Sequence, residues 1–210
     1  MSTILHIQGT NRGERSFSLR TAEAFLDSYR KSHPDDVVKT IDLAEDVIPE
    51  FDALAAAGKY RILHGEQQTS QEAEAWKVVE AVIEEFKSVD KYVVSSPMWN
   101  FCIPYRLKQY IDVIVQPGYT FSYSPEKGYS GLVTGRPVVF CLARGGQYGE
   151  GTESAAYDFQ RPYLETIFQF MGFTDIHKIV VEPTLEGGPE QAKERLGEAV
   201  AAAREMAAGF

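Results

Sequence analysis

The sequence predicts a doubly wound α/β fold, a five-stranded parallel sheet with helices on both faces. Short β-rich apolar runs alternate along the chain with longer segments whose apolar residues recur at helical spacing. The 210 residues, 44% of them hydrophobic, supply one sizeable core and too little chain for two. No Pro/Gly/Ser-rich linker and no internal repeat divides them, so residues 1–210 read as a single domain.

Strands are expected at 3–8, 37–42, 91–96, 136–143 and 175–181, with helices at 16–31, 70–87, 105–115, 155–171 and 189–207. In the helix at 70–87, Ala75, Val78, Val79, Val82, Ile83 and Phe86 form an apolar stripe, with Glu80, Glu84 and Glu85 largely off it. Ser70, with an acid two residues on, marks that helix's start, and Gly172 after Met171 marks another's stop. Residues 43–69 are too many for a plain connection and imply an irregular excursion or a short extra helix. Residues 119–132, YTFSYSPEKGYSGL, interrupt the alternation and read as a small hairpin or projecting loop.

Twenty-one basic residues against thirty acidic ones give a net charge of -9 with no long basic run, which argues against a nucleic-acid surface. The start MSTILHIQG lacks the pattern of a signal peptide, and no apolar stretch is long enough to cross a bilayer. A cytoplasmic protein that does not enter a membrane is expected. Cys102 and Cys141 lack CxxC spacing, so neither a disulfide framework nor a metal site is expected, and both read as buried free thiols. The four histidines are scattered, and neither GxSxG nor HExxH occurs, which removes most support for hydrolase or metalloenzyme chemistry.

In a doubly wound sheet, ligands sit beyond the carboxyl ends of the strands at the topological switch point, so the loops after strands one, three and four are the places to search. The first, Gly9 to Ser18, runs into a helix and carries the hydroxyls of Thr10, Ser16 and Ser18. Free amides at a helix start suit a phosphate, although an ordinary helix cap at Ser16 fits the same residues. No Gly-Lys-Ser/Thr and no GxGxxG is present, which leaves a mononucleotide phosphate as the anion. The loop after strand three, SSPMWNFCIP, holds Met98, Trp99 and Phe101 for packing on a flat ring and Asn100 for its polar edge. These aromatics equally suit a plug on top of the core. The loop after strand four, ARGGQYGEG, lets its backbone approach a ring closely at Gly145 and Gly146, or is simply mobile.

The stretch from PMWNFCIPYRLKQYIDVIVQPGYTF through GLVTG to ARGGQYGEG resembles the FMN-dependent NAD(P)H azoreductase and quinone reductase family, with weaker likeness in the first loop and in RPYLETIFQFMGF. The resemblance covers nearly the whole chain and implies a flavodoxin-like fold. It implies that Thr10, Ser16, Phe17 and Ser18 hold the FMN phosphate region, that Pro97, Met98, Trp99, Asn100 and Phe101 contact the ring and ribityl side, and that Ala143, Arg144, Gly145 and Gly146 follow the pyrimidine edge. Phe17 stands where some relatives carry Gln and Ala143 where they carry Ser, so neither side chain supplies a polar contact; Trp99 replaces a frequent Tyr. The resemblance further implies NADH or NADPH as donor, quinones or azo compounds as acceptors, a ping-pong cycle, and a homodimer with shared sites. Trp99, Phe101, Tyr123 and Phe170 are then the candidates to wall the acceptor site. The competing functions are a flavodoxin-like carrier that passes single electrons to proteins, and a non-catalytic flavin-binding regulator.

Overall fold

The computed structural model describes residues 1–210. Five parallel strands, β1 (Thr3–Gln8), β2 (Val37–Asp42), β3 (Lys91–Pro97), β6 (Val138–Ala143) and β7 (Ile176–Val181), form a sheet in the order β2-β1-β3-β6-β7. Two further strands, β4 (Phe121–Ser124) and β5 (Gly128–Gly131), make the antiparallel hairpin expected at 119–132. Six helices complete the fold: α1 (Phe17–Ser32), α2 (Ala53–His64), α3 (Ser70–Lys87), α4 (Tyr105–Ile114), α5 (Arg161–Met171) and α6 (Gly188–Ala207). The excursion at 43–69 contains α2.

Alternate residues of each central strand feed opposite cores, as the two-residue period of a strand requires. Leu5, Ile7, Tyr92, Val94, Val138, Phe140 and Leu142 join a cluster of 26 buried residues under α3, α4 and α5. Ile4, Val93, Val139 and Cys141 face a cluster of 15 under α1 and α6. These central strands are apolar on both faces because both faces are covered.

Local chemistry fixes the helix ends and moves the start of one expected helix. Helix α3 is capped by Thr69, whose hydroxyl accepts from the Glu72 amide while Glu72 reaches back to the Thr69 amide, so Ser70 is the first helical residue and not the cap. Its buried face runs through Glu72, Trp76, Val79, Ile83 and Phe86, with Ala75 and Val82 packed beside it; of the expected stripe only Val78, 47% exposed, faces out. The helix expected at 155–171 is broken: Ala155–Tyr157 forms one 3-10 turn, Asp158 is extended, and α5 begins at Arg161. Asp158 Oδ1 accepts from the Gln160 and Arg161 amides at 3.1 Å each, and Pro162 sits in the first turn where its missing N–H costs nothing. Helix α5 does stop at Gly172, which takes the left-handed conformation (φ 113°) that a side chain would resist.

Candidate functional site

The strand order reverses between β1 and β3, and the connections leaving their carboxyl ends diverge to open a crevice. Gly9 makes the divergence tight: its amide donates to Ser95 O at 2.7 Å, and a Cβ at this position would stand 3.0 Å from that carbonyl. The chain then passes Thr10 and a 3-10 turn at Gly13–Arg15 before Ser16 caps α1, accepting from the Leu19 amide at 3.3 Å. Thr10, Ser16 and Ser18 are buried at 2%, 3% and 0% exposure, and Ser16 Oγ lies 3.1 Å from Ser18 Oγ. The Phe17 and Ser18 amides, at the first turn of α1, donate to no group of the chain. Ser16 is thus both an ordinary cap and part of an anion cradle, because one cap hydroxyl leaves the remaining first-turn donors free.

Across the crevice, β3 ends at Pro97 and the chain folds back on itself. Trp99 N donates to Cys102 O at 2.8 Å and Cys102 N to Trp99 O at 3.0 Å. The two residues inside this turn, Asn100 (φ 47°) and Phe101 (φ 68°), are the chain's non-glycine residues in the left-handed region. Each costs on the order of 1 kcal/mol or more, and such strain concentrates at binding and catalytic sites. Outside contacts hold the turn: Met98 N donates to Ala143 O at 2.8 Å, and Phe159 N donates to Phe101 O at 2.9 Å. The Phe101 ring, 43% exposed, stacks on Tyr157 with centroids 5.2 Å apart and meets Tyr148 edge-on at 6.1 Å. Cys102, expected to be buried, is half-buried in this turn, with Sγ 3.5 Å from Phe159 O.

These loops enclose a cleft of about 190 Å³ lined by Arg12, Ser16, Phe17, Pro97, Met98, Trp99, Ala143, Gly145, Thr184 and Leu185. A lobe of about 110 Å³ lies on the other side of Trp99, bounded by Gly9, Thr10, Asn11 and Pro104 among others. The first two expected loops and the start of the third therefore converge. The amides of Gly145, which lines the cleft, and of Gly146 beside it donate to no group of the chain. The Arg144 side chain is turned away: it is 1% exposed, and its guanidinium is committed to Asp158, Gln160 and Glu182. Only its backbone can follow a ligand.

Tyr123 and Phe170 do not join the cleft of their own chain. Tyr123 is 62% exposed on β4 and packs on Tyr129, while Phe170 packs on Phe121 and Tyr129 near the far end of α5. Thr184 and Leu185 were missed, although their signal was available: they follow the fifth strand, whose carboxyl end lies at the same edge of the sheet. No helix is long and apolar enough to cross a membrane.

The arrangement sets buried hydroxyls and free amides beside an aromatic turn. A family model described as the flavodoxin-like fold matches residues 2–207. A relative from Nitratidesulfovibrio vulgaris, an FMN-dependent NADH:quinone oxidoreductase, is 50% identical over 210 residues and all of both chains. A second bearing the same name, from Desulfotalea psychrophila, is 45% identical over 88% of this chain and 87% of its own. Among solved structures, an azoreductase from Bacillus anthracis superposes with a TM-score of 0.92 at 32% identity and full coverage of both chains. An FMN-dependent NADH-azoreductase from the same species, solved in complex with FMN, gives 0.86 at 27% identity over 99% of this chain and all of its own. The chain belongs to the flavodoxin-like family that includes the FMN-dependent NADH:quinone oxidoreductases.

Proposed function

We propose that this chain is an FMN-dependent oxidoreductase that passes reducing equivalents from NADH to quinones and to azo compounds. The observation that carries the proposal is the meeting, in one cleft at the β1/β3 switch point, of the helix-start residues Ser16 and Phe17 with Pro97, Met98 and Trp99 of the loop after β3. The residues fit FMN. The hydroxyls of Thr10, Ser16 and Ser18 and the free amides of Phe17 and Ser18 match a phosphate monoester, which needs several donors and little net positive charge. The free amides of Gly145 and Gly146 match the acceptor-rich edge of a pyrimidine. Phe17 and Ala143 serve through backbone and shape alone.

When bound, FMN supplies the two-electron chemistry linking a nicotinamide to a quinone or azo group. The chain binds, orients and shields. Pro97, Met98 and Trp99 line the slot, and in the turn that follows Tyr148 and Tyr157 keep the Phe101 ring in place. One slot serving donor and acceptor in turn makes the cycle ping-pong. The open side of the slot is completed in a homodimer, where Tyr123 and Phe170 of a second copy wall the acceptor. The half-exposed aromatic group on the hairpin supports that arrangement. The working location is the cytoplasm, which suits two unpaired cysteines.

Denaturing the purified protein and identifying the released flavin tests the proposal together with NADH oxidation by a soluble quinone. FMN and steady turnover are expected. FAD, or no flavin after reconstitution, would overturn it, and bound FMN without quinone turnover would favour an electron carrier. Light scattering tests the dimer: a monomer fully active at every dilution would contradict shared sites.

A further inference from the structure

The Arg144 guanidinium makes three separate attachments from its buried position. Nε donates to Gln160 Oε1 at 3.1 Å, and Nη1 donates to Glu182 Oε2 at 3.3 Å. Nη2 stands 2.9 Å from Asp158 Oδ2, an ion pair by distance whose angle falls outside hydrogen-bond geometry. Arg161 Nε adds a second cation 3.7 Å from the same Asp158 oxygen.

Each partner is tied onward to the wall of the cleft. Gln160 Nε2 donates to Ser96 O near the tip of β3 at 3.1 Å. Glu182 Oε2 also accepts from the Tyr148 amide at 3.0 Å, which fixes the loop after β6. Phe159, between Asp158 and Gln160, holds the left-handed turn through its bond to Phe101 O. One planar group thus couples the ends of β3, β6 and β7 with the entry to α5. Stability alone explains this poorly, because the desolvation of a buried ion cluster commonly cancels the attraction within it. A rigid fork with donors in fixed directions is what a three-way clamp needs, and an ammonium lacks it.

We propose that Arg144 is a positioning residue of the flavin cleft, setting the free Gly145 and Gly146 amides and the Phe101 turn at the spacing a flavin requires. It acts through Asp158, Gln160 and Glu182 without touching the flavin, and the inference rests on the FMN-binding reading above. Arg144→Lys keeps the charge and loses the fork. Gln160→Met keeps every charge and removes the bridge to Ser96. Ile83→Ala, in the buried face of α3 away from the cleft, controls for lost stability.

The experiment titrates FMN into each apoprotein, with melting temperature and quinone KM and kcat measured on the same preparations. Arg144→Lys and Gln160→Met should each weaken FMN binding about tenfold or more and raise quinone KM, while Ile83→Ala lowers the melting temperature but leaves FMN affinity within about twofold. If Arg144→Lys does not fold, Gln160→Met decides. Wild-type FMN affinity in the foldable variants, or an equal loss in Ile83→Ala, would overturn the proposal. A wild-type chain that takes up no FMN overturns the underlying reading instead, and does so before any variant is compared.

Discussion

At the phosphate end of the cleft the side chains are small, hydroxylic and buried; at the ring end they are large, aromatic and half-exposed. Ser16 has the relaxed backbone of any helix cap (φ -84°, ψ 122°), whereas Asn100 and Phe101 are forced into the left-handed region and held there by their neighbours. The difference teaches a division of labour. A site made of a helix start can be stiff and strong without strain, and under the proposed function it would meet what every FMN carries. A strained turn carrying exposed rings contributes less affinity and more selection, because its shape meets whatever lies on the flavin. Affinity should therefore reside at the first end and turnover at the second.

Ser16→Asp attacks the first end and should have the largest effect. It sets a carboxylate against the phosphate, and the lost hydroxyl together with repulsion should weaken FMN binding by roughly a thousandfold, about 4 kcal/mol. Equilibrium dialysis of the apoprotein reads this directly, and a loss under about tenfold would place the phosphate elsewhere.

The strut between the two ends gives the next effect. His6 of β1 and Ser95 of β3 meet at 3.0 Å from Nε2 to Oγ, joining the strands whose tips carry the two loops. Burial, reinforced by the charge of Arg30, holds the His6 pKa down at about 4 against an ordinary 6.5. Between those values the unfolded chain binds the proton and the folded chain does not, so stability falls as pH drops from about 6.5 to about 4 and levels off below. The contribution is about 3 kcal/mol across that window. Melting curves of wild type and His6→Gln check it: the variant should lose this part of the slope, and identical slopes would remove His6 from the account.

Trp99→Ala strikes the ring end alone and should have the smallest effect. Quinone turnover should fall about tenfold from one lost wall, with FMN affinity within about threefold of wild type. Unchanged quinone kinetics would reject the slot. Parallel collapse of flavin affinity, melting temperature and turnover would make Trp99 a structural plug.

The fold was legible because strands covered on both faces announce themselves as short apolar runs, while the edge strand β2 was marked by its Val-Val start and Ile41; all five were found within two residues at either end. The burial of Thr10, Ser16 and Ser18 at the start of α1 follows from local sequence in a similar way, because Ser16 caps the helix that the apolar spacing announces. The α3 stripe was largely legible, with Val79, Ile83 and Phe86 buried and Ala75 and Val82 packed beside them; only Val78 faces out, and Trp76 fills the core instead. Asn at position 100 tolerates a left-handed backbone, but nothing about Phe101 announces one, because that conformation is imposed from Phe159, 58 residues away. Arg144, expected along the pyrimidine edge by its place in ARGG, has its side chain turned inward, and its partners at 158, 160 and 182 come together only in the fold.

The division between the two ends is tested most directly by titrating wild-type apoprotein with FMN and, in parallel, with riboflavin, which carries the same ring and ribityl chain without the phosphate. If the phosphate end holds the affinity, FMN should bind at least about a hundredfold more tightly, as expected from two or more charge-assisted hydrogen bonds. Equal affinities for the two flavins would contradict the account.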